Sequence, residues 1–163
     1  MIMEPNSENN ENVLTRFCDL LGEHIGNESP YFQYDSSMKL AFSSFGLAVS
    51  TGIRIDATRE LLEMEDKLYQ NLSDSDTVLS DEHRKKLNHA DDVWLDMKAK
   101  MSAGDIRASH LLAAHAHLSE ALKYLTLLKI DDNFSEFVSD YNLKYLSKLS
   151  VFVYREAIGH VML

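Results

Sequence analysis

His110, His115 and His117 fall within the ten residues "SHLLAAHAHL" at 109–118. Imidazoles ligate metals and move protons near neutral pH, so the first chemistry to test is a zinc site or an acid–base centre. Leu111, Leu118, Leu122 and Leu125 recur around them at helical spacing. On a helix, His110 and His117 share a face but are separated by about 10.5 Å of rise. That is too far for both to reach one zinc at about 2.0–2.1 Å. His115 points about 140° away from His110 and about 200° from His117. It falls at the edge of the buried face, and the other two fall at the boundary with solvent. A metal or ligand role at His115 therefore needs a partner from another helix, and no cofactor is implied. The chain contains no Glu-x-x-His, so a di-iron bundle site is excluded on motif.

Arg155 and His160 in "REAIGH" form the second chemical pair, echoed by Arg84 and His89 in "RKKLNH". An arginine and a histidine with four residues between them resemble the active-site pattern of the HEPN superfamily, small helical-bundle ribonucleases and their inactive relatives. The resemblance implies a metal-independent ribonuclease with Arg155 and His160 at the scissile phosphate. That family commonly places a polar residue such as Asn, Asp or His after the arginine, where this chain has Glu156 and Lys85.

Other stretches point to surfaces rather than to reactions. "YFQY" spends Tyr31, Phe32 and Tyr34 on what reads as a loop, either covering the bundle end or offering a binding patch. "FSSFGLAVSTG" at 42–52 lacks the lysine of a phosphate-binding loop. Its small residues, Gly46 and Ser50 among them, leave a smooth helix side that another helix could approach. Asp91, Asp92 and Asp96 read as a solvated face, with Lys100 one turn beyond Asp96. No Ser–His–Asp or Cys–His arrangement carries a local motif.

The elements that must hold these residues are helical. Pro5 and Pro30 are the two prolines, so nothing interrupts the chain after residue 30 in the way proline would. The periodicity predicts helices over about 11–25 (Leu14, Phe17, Cys18, Leu21, Ile25), 35–72 (long, bent or split at Gly46 or Gly52), 80–101, 105–129 and 134 to near the end. Asp35 or Ser36 is expected to cap the second, and Ser80 the third. No heptad register is sustained. The expected fold is all-α, an antiparallel bundle of about five helices with short connections, forming a single domain over 11–163 behind a disordered acidic leader at 1–10.

Composition narrows the function. At 163 residues with 45% apolar content the chain is long enough to bury a core unaided. Cys18 is the lone cysteine, which favours a reducing, cytoplasmic setting, and "MIMEPNSENNENV" is no secretory signal. Net charge is −10, of which residues 1–35 hold −6 (seven acids, one base), leaving −4 for the rest. No basic stripe exists to neutralise phosphates, so neither DNA nor an anionic membrane is an expected partner. The reading that follows is a non-enzymatic protein–protein interaction module, an adaptor, regulator or inhibitor with a possible homodimer. Its expected surface is Tyr31, Phe32, Tyr34, Gly46 and Ser50. The alternatives are the Arg155/His160 ribonuclease and a ligand-binding bundle around His115.

Overall fold

Ser29 and Pro30 start the first long helix. The Ser29 hydroxyl accepts from the Tyr31 amide at 3.3 Å and proline takes the first helical position, where its missing N–H costs nothing. The helix, α1, runs Pro30–Ser50 in the computed structural model, which describes residues 14–74, 78–91 and 96–159. The aromatics of "YFQY" are therefore helical rather than in a loop, and the cap is Ser29 rather than Asp35 or Ser36. The acidic leader at 1–10, and Asp92, Trp94 and His160, lie outside the described residues.

Residues 14–26 are not the helix that their apolar spacing predicts. They form an antiparallel hairpin, β1 (Thr15–Cys18) with β2 (Glu23–Gly26), registered Thr15 to Gly26 and Cys18 to Glu23. Gly22 closes the turn at φ +70, a backbone region that favours glycine, and its amide bonds the Cys18 carbonyl at 2.8 Å. Apolar residues every three or four positions over so short a run fit a helix or a turn-bearing ribbon equally well. A lone hairpin is marginal in water. This one is held by buried Cys18 and by Arg16, whose guanidinium stacks on the Phe32 ring 4.4 Å from its centroid.

The 35–72 segment divides into α1 and α2 (Ile55–Gln70). The break is at Gly52, with φ +74, while Gly46 stays helical. The third expected helix also divides, into α3 (Asp81–Asn88), capped by Ser80, and α4 (Met97–Ser102), capped by Asp96. Ala90 is outside both. Asp105 caps α5 (Ile106–Ile130), whose last turn is tied down by Lys129 donating to the Ser135 and Val138 carbonyls. A short 3-10 turn at Ser135–Phe137 precedes α6 (Asp140–Ile158), so the last helix begins later than Phe134.

The fold is an all-α bundle with a small two-stranded sheet, and four long helices form it. Tyr69 of α2 bonds Asp35 of α1, and Asn142 of α6 donates to the Leu68 and Asn71 carbonyls, so these termini share one end. Thr58 of α2, Arg107 of α5 and Glu156 of α6 meet at the other. Thus α1 is antiparallel to α2, α2 is parallel to α5, and α6 is antiparallel to both. Because α2 finishes at the end opposite to where α5 begins, the connection 71–105, which carries α3 and α4, must cross the length of the bundle rather than be short as expected.

A heptad register does exist, contrary to expectation. The buried positions Arg107, Leu111, Ala114, Leu118, Ala121, Leu125 and Leu128 of α5 alternate four and three apart. On α1, Tyr34, Ser37, Ala41, Ser44 and Ala48 do the same. These two helices make the most extensive contact in the molecule. Ala and Ser at alternating positions let the backbones approach closely, but they hide the register from any search for leucine.

Candidate functional site

His115 ties α5 to α6. Its Nδ1 lies 2.8 Å from the Ser150 carbonyl, which only accepts, so Nδ1 carries the proton. The ring packs on Tyr154 with centroids 4.9 Å apart, and the Ser150 and Ser119 hydroxyls are 2.8 Å apart beside it. Ser119 is already committed to the His115 carbonyl, and among the described residues the imidazole is bonded by Ser150 and by no carboxylate. These contacts make a clamp between helices rather than a nucleophile and its base. His110 and His117 do not join it, and no group of three or more His, Cys, Asp or Glu among the described residues could hold a metal ion.

One bundle end is built from arginines. Arg107, 5% exposed, donates from Nε to the Thr58 hydroxyl at 3.1 Å, and its Nη2 faces Glu156 Oε2 at 3.6 Å. Arg54 reaches the same carboxylate oxygen at 3.8 Å from a left-handed backbone (φ 48), a conformation costing a non-glycine about 1 kcal/mol or more. Burial pulls the Arg107 guanidinium below its ordinary value, and Glu156 opposes that shift. Lys100 pairs with Asp105 at 3.3 Å. The Asp105 carboxyl is held below the usual range chiefly by the Ala108 amide it accepts from. A recess of about 220 Å³ opens among these groups. A second cleft of about 420 Å³ continues from it past Arg54 and Glu156 to Lys86, His89 and Arg155.

Of the two Arg-x4-His motifs, His160 lies outside the described residues, and the described arginines take other partners. Arg155 donates to the Asp91 carbonyl at 3.0 Å and shares the larger cleft with His89, the histidine of the other motif. Arg84 turns away to ion-pair with Asp81. Lys86 salt-bridges Glu60 at 2.6 Å, which raises the ammonium above its ordinary value.

The opposite end is built from tyrosines. Phe32 and Tyr34 are buried and Tyr31 half-buried, so the "YFQY" aromatics cover the bundle end instead of forming an exposed patch. Tyr31 stacks on Phe134 with ring planes 13° apart. Tyr69 donates to Asp35 Oδ1 at 2.5 Å, and Lys39 meets Oδ2 of the same carboxylate at 2.7 Å. A pocket of about 280 Å³ opens between the hairpin, α1 and α2, with Asp19, Tyr31, Tyr34, Asp35, Tyr69 and Leu72 on its walls. Beneath it lies Glu65, 0% exposed, with neither carboxyl oxygen hydrogen-bonded among the described residues. Burial first, and then the charge of Asp66, push its pKa up to about 9, so it is protonated at neutral pH.

Both buried charges carried a signal in the sequence. Thr58, Leu61, Glu65, Leu68 and Leu72 are all buried at alternating three- and four-residue spacing. Glu65 thus sits where a core residue belongs, as Arg107 does on α5.

The small residues of α1 fall on two faces. Ser44 and Ala48 are buried, whereas Gly46 and Ser50 are exposed. The outer face runs Gln33, Ser36, Leu40, Ser43, Leu47 and Ser50 at heptad spacing, with Leu40 and Leu47 about half exposed at 49% and 50%.

These elements define the molecule as a crossover helical bundle with a cleft at each end and, on α1, an outer face that no described element covers. The chain belongs to the family described as the domain of unknown function DUF1940, whose family model matches residues 17–159, from β1 to the residue after α6. No curated protein matches the chain. No helix among the described residues is long and apolar enough to cross a membrane.

Proposed function

We propose that this chain is a non-enzymatic interaction module that self-associates through the outer face of α1. The observation that carries the reading is the character of that face. In a chain of net charge −10 it bears no acid, one lysine (Lys39), and leucines a heptad apart with serines between them. Two copies can approach there without like-charge repulsion. The spacing repeats the small-residue pattern that α1 uses against α5, and one stripe presented to its own copy suits two-fold pairing. Light scattering over about a hundredfold range of concentration tests it. The wild type should populate a dimer, and Leu47→Glu should be monomeric with unchanged helical content. A wild type that stays monomeric throughout sinks the reading.

The ribonuclease reading has one supporting observation, Arg155 and His89 lining one cleft with Lys86 and Arg54. Its test is cleavage of single-stranded RNA by the wild type, abolished in Arg155→Ala. No cleavage, or cleavage unchanged in the variant, removes it.

A further inference from the structure

The geometry points to the tyrosine-lined pocket at the hairpin end as a binding site for a small alkylammonium, an aliphatic amine or short polyamine that carries N–H donors. Its walls, which also include Gln70 and Ser73, carry two carboxylates and, among the described residues, no lysine or arginine, so they favour a cation over an anion. Asp19 and Asp35 provide negative charge, and the rings of Tyr31, Tyr34 and Tyr69 provide aromatic faces. The only ammonium bonded to Asp35 among the described residues is that of Lys39, whose side chain is largely exposed. A ligand ammonium can displace it at small cost, because an exposed i,i+4 pair contributes little.

Tyr34 supplies the independent observation. It is 2% exposed and, with Leu72, forms the buried floor of the pocket, yet its hydroxyl has no hydrogen-bond partner among the described residues. A buried hydroxyl left unmatched is destabilising, and phenylalanine in its place would avoid the cost. As a lone-pair acceptor it fits an N–H donor entering from the pocket. That requirement separates a primary or secondary ammonium from a quaternary one, which has no N–H to give.

The local field agrees. Burial, with Cys18, Asp35 and Asp19 adding, pushes the Tyr31 phenol up to about 12. Burial likewise raises Tyr34 and Tyr69, helped respectively by Glu65 and by the hydrogen bond to Asp35. Burial opposes charge of either sign, so the part of these shifts that favours a cation is the smaller one from Asp35 and Asp19. The volume of about 280 Å³ suits a ligand of modest size. At the arginine end the buried atoms without a hydrogen bond, Arg107 Nη2 and Glu156 Oε2, face each other at 3.6 Å, and Lys100 faces Asp105, so each charge already has its opposite beside it.

Isothermal titration calorimetry on the full chain, with putrescine, spermidine and tetramethylammonium at physiological salt, is the test. Saturable binding of at least one of the two amines is expected, with tetramethylammonium weaker by about tenfold or more. Asp35→Asn and Tyr34→Phe should each weaken amine binding by about tenfold. Tyr34→Phe should do so with an equal or higher melting temperature, which a purely structural hydroxyl would not show. Lys39→Ala should tighten binding by removing the competing ammonium. No saturable heat with either amine overturns the assignment. So does amine binding that survives both Asp35→Asn and Tyr34→Phe, because the acidic surface at large would then be holding the amine. Tetramethylammonium binding as well as the amines removes the role given to Tyr34.

Discussion

The two ends of the bundle treat buried polarity in opposite ways. At the arginine end, Arg107 is buried against Thr58 and faces Glu156, which Arg54 also approaches. Charge there faces charge: Arg107 Nη2 and Glu156 Oε2 are also without a hydrogen bond among the described residues, but each has an opposite charge 3.6 Å away. At the tyrosine end, Glu65 and the Tyr34 hydroxyl are just as buried and lack hydrogen bonds among the described residues. The first arrangement fastens three helices; the second stores unmet hydrogen-bonding capacity beside an open pocket. The comparison teaches that burial of a polar group does not by itself mark a site. What matters is whether the fold has already supplied its partner.

The largest expected effect belongs to Glu65, because burial there opposes ionisation. Its pKa rises from 4.5 to about 9 on folding, so the folded state keeps a proton that the unfolded chain releases. Stability from this group is fully present below pH 4.5 and is lost as pH rises toward 9, at about 1.4 kcal/mol per unit at most. Urea unfolding across that window should show several kcal/mol of decline for the wild type and a much flatter profile for Glu65→Gln. Equal slopes would mean that the carboxyl is not isolated, and the contrast between the ends would collapse.

Next in size is the arginine end. Glu156→Ala leaves Arg107 buried opposite no carboxylate and should cost about 2–3 kcal/mol in the same assay. Arg107→Met with Glu156→Leu should recover most of that loss, since an apolar pair of similar volume replaces the ion pair without stranding a charge. If the single variant is neutral, the pairing that distinguishes this end carries no weight.

Asn142→Ala comes third. It removes both donations to the α2 C-terminal carbonyls and should cost about 1–2 kcal/mol. A loss well below that would show that the α2–α6 junction under the tyrosine end is not hydrogen-bond limited. Smallest is Gly46→Ala: beyond its own helical turn, no atom of the described residues lies within 4 Å of where its Cβ would sit. Thermal unfolding should therefore show a gain of about 0.5–1 kcal/mol from helix propensity alone. Gly46 lies beside the Leu40–Leu47 stripe rather than on it, and a loss instead would mean that the dimer contact extends over it.

Much of the fold was legible, because helix spacing and capping are local. Ser80 caps a helix where its sequence context places it, and of the two candidates before the 106–130 helix, Ser102 and Asp105, the structure uses Asp105. Pro30 as a first helical residue was equally readable from "SP", but the three aromatics after it suggest a loop. The hairpin at 15–26 misleads because Leu14, Phe17, Cys18, Leu21 and Ile25 satisfy a helical period, while the turn rests on one glycine, Gly22. The heptad register on α1 and α5 escapes notice because alanine and serine occupy half of it. Among candidate site residues, His115 was placed at the core edge and lies there, half-buried. That it clamps the Ser150 carbonyl depends on a helix 35 residues away.

By itself the sequence determined which positions face inward, since that follows from the 3.6-residue period of each helix. It therefore already placed a glutamate and an arginine, Glu65 and Arg107, on buried stripes. Only the tertiary structure decided their fates. The crossover at 71–105 sets α2 parallel to α5 and brings Thr58 to Arg107, the turn at 131–139 folds α6 back to bring Glu156 there, and neither brings a hydrogen-bond partner to Glu65 among the described residues. Inward-facing periodicity is a property of one helix, but electrostatic satisfaction is a property of at least two, and local spacing carries no information about the second.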